Sequence, residues 1–244
     1  MKSKKVQELT RFEMAELINE NCYAILPVGA TEQHGPHLPI GTDVYLAEYV
    51  AKKLSERIDS VIFPSLNFGY SWVWKDLPGT LTLGQEAFKK VLNELIVSMI
   101  GQGFRRIIIV NGHDSNNKAI RYVQREIKDV YPDIEVLMMF YPGMSSLYQK
   151  HMETPTWGGM FHADEWETSL MLAARPDLVD MSKAVEEYPI KPDLYGLDAS
   201  SLSSISQSGI FGNPTKATRE KGEMIIKEMI DNITEILDRN KGAD

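Results

Sequence analysis

Four candidate metal ligands lie within twelve consecutive positions: Glu32, His34, His37 and Asp43. Glycines and prolines interrupt this segment, so it can turn several side chains toward one point, which a regular helix or strand at this spacing could not do. Carboxylate and imidazole ligands together suit Zn, Mn or Fe. The alternative is that Thr42 or Asp43 only caps a helix and that the histidines are solvent-exposed loop residues.

A fifth candidate ligand follows the apolar run RIIIV. Asn111 and Gly112 end this run, and His113 comes directly after them, just before a helical pattern. A histidine in this place can bind a metal through one ring nitrogen while a neighbour orients the other. Asp114 and Ser115 are better explained as helix N-caps.

A third cluster of candidate residues is the segment FHADEWETS. Its His162 and Glu167 are five positions apart, so on one regular helix they would not share a face. A transition from loop to helix between them would let both side chains reach one pocket. Asp164 and Glu165 are explained as acidic residues in a first helical turn, where the helix dipole favours negative charge.

Strand-like and helix-like segments alternate along the chain, which predicts an α/β fold with a mostly parallel sheet covered on both sides. In such a sheet the ligand crevice lies outside the carboxyl ends of the strands, where all three segments fall. The predicted strands are Cys22 to Val28, Ser60 to Ser65, Arg106 to Val110 and Ile134 to Phe140. The predicted helices are Asp43 to Ile58, Gln85 to Gly101, Asn116 to Tyr131, Glu165 to Ala174 and Thr218 to Arg239.

The remaining segments predict surface structure and a soluble protein. Tyr141 to Gly159 and Glu187 to Pro214 lack clear periodicity and are predicted as long surface loops, which are often functional. The first twenty residues form a charged amphipathic start without a signal-peptide core. No stretch approaches the roughly 20 apolar residues of a membrane span, so we expect a cytoplasmic protein.

Length and composition narrow the classes of function. A chain of 244 residues fits one α/β domain, residues 1–244. The net charge of −8 argues against a general nucleic-acid binder, which needs a basic surface. Cys22 is the only cysteine, which excludes an intramolecular disulfide and a cysteine-based zinc site. No G-x-S-x-G motif supports a serine hydrolase, and Ser115 is too near His113 for a triad.

Five ordered motifs resemble the creatininase family of amidohydrolases. They are ATEQHGPHLPIGTD, LPGTLTL, NGH with a downstream Asn, HADEWETS and GNPTKATREKG, and together they run from about Leu26 to about Gly222. The resemblance implies a single-domain α/β/α sandwich that assembles into homo-oligomers, commonly hexamers. It also implies a dinuclear centre held by Glu32, His34, Asp43 and His113, with Asp43 bridging the ions and with His162 and Glu167 in the active site.

The chain departs from the creatinine-hydrolysing members at two places. Ser115 stands where those members carry a glutamate that completes the metal shell, so either Glu167 supplies the missing carboxylate or the second ion is held more weakly and more openly. Ser71 to Trp74 replaces a Ser-x-Glu-His pattern, and Trp74 either packs in the core or walls the substrate pocket. Both departures argue against creatinine itself as the substrate. They leave a cyclic amide, a formamide or a cyclic ketone such as a keto-inositol.

We therefore predict a small-molecule hydrolase with two divalent ions, Zn by preference and Mn or Fe as alternatives. The ions would lower the pKa of a water molecule and polarise the scissile carbonyl. His162 and Glu167 are the predicted acid and base. Trp74, Ser115 and His37 are the predicted substrate contacts, although His37 also fits a position behind the ligands. A non-catalytic scaffold is the alternative, to be recognised by a lack of bound metal.

Overall fold

A five-stranded parallel sheet forms the centre of the molecule. The computed structural model describes residues 4–240, so residues 1–3 and 241–244 of the predicted domain lie outside it. The strand order is β1-β3-β2-β4-β5, and every neighbouring pair is parallel. The strands are β1 (Lys4–Lys5), β2 (Tyr23–Val28), β3 (Ser60–Ile62), β4 (Arg106–Asn111) and β5 (Glu135–Met139).

Seven α-helices lie among the described residues, and five of them agree with the predicted helices to within a few residues. The prediction of a surface loop over Tyr141 to Gly159 is wrong in part, because α5 lies inside it. The helices are α1 (Arg11–Asn19), α2 (Thr42–Ser55), α3 (Gln85–Gln102), α4 (Asn117–Val130), α5 (Met144–His151), α6 (Glu165–Ala174) and α7 (Arg219–Asn240).

Helices cover both faces of the sheet, which confirms the predicted α/β architecture. Side chains alternate between the two faces of a strand, so the continuous apolar run of β4 serves two cores. Ile108 and Val110 pack on α2, α6 and α7. Ile107 and Ile109 pack on α1, α3 and α4. A strand that is apolar at every position is therefore what a sheet with two covered faces requires.

The order of the strands creates a crevice between β2 and β4. From β2 the chain crosses to β3 on one side, then returns to β4 and continues to β5 on the other side. A reversal of this kind leaves an opening outside the carboxyl ends of the two central strands. Val28 and Asn111, the last residues of β2 and β4, are paired in register, so the segments that follow both strands begin at one level.

Gly112 allows α2 to begin directly above the end of β4. A Cβ atom at this position would lie 2.1 Å from the main-chain oxygen of Asp43, a backbone atom that cannot turn aside. The missing side chain therefore brings the first turn of α2, and with it Asp43, to the mouth of the crevice. Across the part of the chain that is described, no helix is long and apolar enough to cross a membrane.

Gly222 plays a similar part between α6 and α7. A Cβ atom there would lie 1.9 Å from the main-chain oxygen of Ser169. The two helices can approach this closely only because α7 has no side chain at the contact.

We expect Gly222→Ala to lower the free energy of unfolding by about 1–3 kcal/mol, because overpacking separates α6 from α7. Gly101→Ala in α3 is the matched control, since a Cβ atom there meets nothing within 4 Å. Alanine in an open helical position instead stabilises a protein by roughly 0.5–1 kcal/mol. Urea unfolding of both variants measures the two effects, and equal shifts would contradict the close approach of α6 and α7.

Candidate metal centre

The segment after β2 places Glu32 and His34 in the crevice. Its two ends are tied together by the bond from the amide of Glu32 to the carbonyl of Ile40, at 3.0 Å. Both side chains are almost fully buried. The alternative of solvent-exposed loop histidines is therefore wrong.

Asp43 enters the same space from the first turn of α2. It is buried, and Gly41 occupies the N-cap position without any capping bond from a side chain, so the alternative of Asp43 or Thr42 as a cap is also wrong. Oδ1 of Asp43 lies 3.1 Å from Nε2 of His34, and Oδ2 lies 2.9 Å from Nδ1 of His113. The carboxylate thus stands between two imidazoles, one from each central strand.

His113 follows β4, as the sequence predicts, and its turn is held by neighbouring asparagines. Asn111 accepts the amide of His113 and donates to its carbonyl oxygen. Asp114 and Ser115 do not cap α4, because Asn116 holds the N-cap position and makes no capping bond. The prediction of N-caps at these two residues is wrong.

His162 and Glu167 reach the centre from the start of α6. Between them Ala163 has a φ of 51°, in the left-handed region that non-glycine residues rarely adopt. Asp164 is the N-cap of α6 and accepts the amides of Trp166 and Glu167. Oε2 of Glu167 accepts the amide of Ala163 at 2.6 Å. The sharp turn followed by a capped helix brings together two side chains that a regular helix would separate.

A main-chain carbonyl orients each of the three histidine rings. Nδ1 of His34 lies 3.0 Å from the carbonyl oxygen of Glu32, Nε2 of His113 lies 3.0 Å from that of Tyr70, and Nε2 of His162 lies 2.9 Å from that of Gln33. A carbonyl oxygen only accepts, so these nitrogens carry the hydrogen. The other nitrogen of each ring is left to bind a cation or to take up a proton in the centre.

Six buried side chains form three overlapping groups whose ligand atoms lie within 4.8 Å of one another. Glu32, His34 and Asp43 each belong to two of these groups, and the carboxylate of Asp43 contacts both His34 and His113. The groups are Glu32 with Asp43 and His113, His34 with Asp43 and Glu167, and Glu32 with His34 and His162. The structure therefore brings together all four predicted metal ligands and both predicted catalytic residues.

Burial and mutual attraction shift the pKa values in this centre. Burial lowers the pKa of His34, but the carboxylates of Asp43 and Glu167 outweigh it and raise the pKa to about 9. In the same way Glu32 and Asp43 raise the pKa of His113 to about 10 against its burial. Burial raises the pKa of Glu167 to about 8. The carboxylates thus make the centre strongly attractive to positive charge.

Among the described residues, two carboxylate oxygens in the centre accept no regular hydrogen bond. They are Oε2 of Glu32 and Oδ2 of Asp43, the latter lying 2.9 Å from Nδ1 of His113 as an ion-pair partner. A buried charged oxygen without a partner is costly, so it indicates a missing cation. Carboxylate oxygens and imidazole nitrogens are ligands of Zn, Mn and Fe, and these residues fit such an ion.

A pocket of about 420 Å³ opens onto the centre. It is lined by Glu32, Asp43, His113, His162 and Glu167 on its inner side. Trp74 also lines it, is only 1% exposed, and stacks on the ring of His162 with centroids 4.9 Å apart. Trp74 therefore combines both alternatives, since it packs in the interior and walls the pocket.

Ser115 lies in the pocket wall, whereas His37 does not. Nε2 of His37 lies 2.8 Å from the hydroxyl of Thr168 in α6, behind the centre, and burial lowers the pKa of the ring to about 4. Among the described residues that line the pocket His37 is absent, which favours the alternative position behind the ligands. Ser115 and Trp74 remain predicted substrate contacts.

Sequence reasoning missed two residues that support the centre. Gln33 accepts the amide of Gly35 and donates to the carbonyl of Gly209, which holds the segment on which His162 rests. Asn116 donates to the carbonyl of Gly29 and accepts the amide of Tyr70, which joins the segments after β2, β3 and β4. The Asn downstream of NGH was part of the recognised motif, but nothing in its spacing indicates these partners.

Comparison with known proteins agrees with this geometry. The sequence model of the family Creatininase, described as creatinine amidohydrolase, matches residues 7–237. Creatinine amidohydrolase of Pseudomonas putida is 31% identical over 251 residues, covering 97% of this chain and 96% of that protein. Mycofactocin precursor peptide peptidase of Mycobacterium ulcerans (strain Agy99) is 30% identical over 218 residues, covering 85% of this chain and 81% of that protein.

The fold is also similar to that of a solved creatininase structure with Mn. The TM-score is 0.85 at 29% identity, and each chain is covered to 100%. The family match spans nearly all of the described residues, including every segment that contributes to the centre. This chain therefore belongs to the creatininase family of metal-dependent hydrolases.

Proposed function

We propose that the protein uses water to cleave a C–N bond of a small amide, with a cyclic amide or a formamide as the substrate class. The observation that carries this proposal is the carboxylate of Asp43, which is shared by two groups of candidate ligands at the bottom of a pocket. Two groups with one common member suit a pair of ions bridged by that member. A relative at 31% identity is a creatinine amidohydrolase, and creatinine is a small cyclic amide.

The proposed cofactor is a pair of divalent ions, Zn by preference, with Mn or Fe as alternatives. Glu32 and His113 would hold one ion, His34 would hold the other, and Asp43 would hold both. When bound, such ions supply Lewis acidity, which polarises a carbonyl and lowers the pKa of water. Imidazole nitrogens suit Zn and carboxylate oxygens suit Mn, so this donor set can hold either ion.

His162 is the proposed proton-transfer residue. Burial lowers its pKa well below the ordinary value, so the ring is neutral at rest and readily gives up a proton that it has taken up. Its Nε2–H is engaged by the carbonyl of Gln33, which leaves Nδ1 on the side of Glu32, 3.8 Å from Oε1. Stacking on Trp74 fixes the plane of the ring. His162 can thus take a proton at Nδ1 and return it to the leaving nitrogen.

The walls of the pocket favour a neutral or cationic substrate with an apolar part. Above the centre the lining side chains are mainly apolar: Val73, Phe140, Met144, Met160, Phe161 and Leu202. Among the described lining residues there is no Lys or Arg that could neutralise an anionic group. A keto-inositol carries several hydroxyl groups that need polar partners, so these walls favour the amide over this alternative.

A short peptide amide is the second candidate substrate. The pocket of about 420 Å³ lies within the range of about 300–1,000 Å³ that holds drug-sized ligands, which leaves room for more than one small ring. The peptidase of Mycobacterium ulcerans shows that a relative at 30% identity acts on a peptide.

Assembly into a homo-oligomer, with the hexamer as the expected form, and a cytoplasmic location stay predictions.

The proposed reaction is tested by screening the protein, loaded with Zn or Mn, against cyclic amides, formamides, short peptides and cyclic ketones. We expect turnover of an amide with an apolar substituent and no turnover of anionic analogues. Turnover of the ketones alone would replace the proposed bond with a C–C bond. Absence of bound metal in the purified protein would favour the non-catalytic scaffold.

Asp43→Ala should abolish the binding of both ions and all hydrolysis, because the variant removes the carboxylate that lies between His34 and His113 and would bind both ions. Elemental analysis of protein purified without chelator measures the metal content. Asp129→Ala, at an exposed position of α4, is the control and should keep full content. A variant at Asp43 that retains both ions would contradict the bridging role.

His162→Ala should keep the metal content and lower kcat by roughly 10²–10⁴-fold, the usual contribution of a general acid or base. Elemental analysis and turnover of the best amide from the screen, measured on one preparation, separate the two effects. An unchanged kcat would remove His162 from the reaction.

Added Zn or Mn should raise the melting temperature, and the increase should grow between pH 6 and pH 8. Without metal, His34 and His113 have raised pKa values of about 9 and about 10, so both rings are protonated at pH 6 and a cation must displace those protons. Raising the pH reduces that cost. At a free ion concentration of about 100 times Kd, binding stabilises the folded protein by about 2.7 kcal/mol. A shift that shrinks as the pH rises would show that the ion binds elsewhere.

A further inference from the structure

The two groups of ligands that share Asp43 have the same composition. One consists of Asp43 with Glu32 and His113, and the other of Asp43 with His34 and Glu167. Each group therefore contains one further carboxylate and one imidazole. The further carboxylate of the second group is Glu167, which lies in α6. It does not come from the segment after β4, which has Ser115 instead of a carboxylate.

We propose, on the basis of the proposed function, that Glu167 is the third protein ligand of the ion held by His34 and Asp43. It would replace the carboxylate that Ser115 lacks. The assignment leaves His162 as the only member of the cluster outside both ligand sets, so the proton-transfer role belongs to His162.

The position of Glu167 is the first support for this assignment. Its Oε2 lies 3.9 Å from Nε2 of His34, a separation that two ligands of one ion can have. Nε2 is also the ring nitrogen that the carbonyl of Glu32 leaves free. The carboxylate is nearly buried and is held by the amide of Ala163, so it faces the centre without a rearrangement of α6.

The charge of the centre is the second support. Glu32, Asp43 and Glu167 are three carboxylates buried in one place, and the described structure places no Lys or Arg in the pocket that they line. Without an ion, this charge is relieved by protonated histidines or by protonation of a carboxylate, whereas bound ions would balance all three carboxylates at once. A Glu167 that served only as a base would leave the second ion with one carboxylate, which it shares with the first.

The short side chain of Ser115 is the third observation. It lies in the wall of the pocket, as do its neighbours Gly112 and His113, and it occupies less volume than a glutamate would. Supplying the carboxylate from α6 keeps that volume open. The second ion then has as many protein ligands as the first, contrary to the weaker and more open site that Ser115 alone suggests. The space beside His113 is available to the substrate.

The test is the metal content of Glu167→Gln and of its combination with Ser115→Glu. The protein is purified without chelator, saturated with Mn²⁺ and measured by elemental analysis after removal of free ion. We expect the wild type to bind both ions and Glu167→Gln to lose one of them. Ser115→Glu in the Glu167→Gln background should restore the lost ion. Asp114→Asn, which removes a carboxylate of the same pocket wall, should retain both ions.

Two further combinations identify which ion is lost. In the Glu167→Gln background, His34→Ala should cost no further ion, since both residues would serve the same one. His113→Ala in that background should remove the remaining ion. Circular dichroism melting of each metal-free variant shows that the fold is retained.

Retention of both ions by Glu167→Gln would overturn the assignment and make Glu167 a base. Failure of Ser115→Glu to restore the ion in a folded double variant would also overturn it. A wild-type protein that binds no Mn²⁺ and no Zn²⁺ would instead overturn the proposed function, so the two failures are distinguishable.

Discussion

The buried carboxylate of Asp43 is the interaction on which the rest of the centre depends. It lies between His34 and His113, and these two imidazoles hold its pKa below the usual range although burial would raise it. An ionised group in this place is stable only if positive charge surrounds it, whether from protons or from ions. Its position in the first turn of α2 adds the favourable end of the helix dipole. Every neighbouring feature serves to bring this carboxylate to the crevice or to compensate its charge.

The parallel sheet supplies the geometry that this interaction requires. β2 and β4 are adjacent and end in register, so His34 and His113 approach Asp43 from two directions although 79 positions separate them in the chain. Gly112 lets α2 begin directly over the end of β4. Each ring has one nitrogen at a main-chain carbonyl, that of Glu32, Tyr70 or Gln33. Orientation therefore depends on the paths of three loops, which explains why Gln33 and Asn116, residues that only tie loops together, lie at the centre of the hydrogen-bond network.

Sequence reasoning predicted the parts of the fold in which a physical pattern is long enough to recognise. The strand RIIIV and the helix from Gln85 have clear apolar patterns, and both are found. β1 has only two residues and no period, and α5 lies in a stretch of Pro, Gly, Ser and Met that resembles a loop. The clustering of Glu32, His34, Asp43 and His113 followed from strand ends and motifs. Spacing could not distinguish His34 from His37, because which of two loop histidines turns inward depends on contacts such as the one between His37 and Thr168.

The distribution of acidic residues at the start of α6 shows how one short segment can serve several ends. Asp164 caps the helix, while Glu165 is fully buried and accepts the amides of Glu153 and Thr154 as well as the ammonium of Lys221. Helix-dipole reasoning treats both residues as acids of a first helical turn, and it cannot reveal that Glu165 holds the segment of Glu153 and Thr154. Glu167, one half-turn further on, faces the centre instead. Because α6 is anchored independently of the segment after β4, a carboxylate that it contributes leaves position 115 free to vary. If Glu167 binds the second ion as proposed, the shape of the pocket at position 115 can differ without loss of the negative charge that the ion requires.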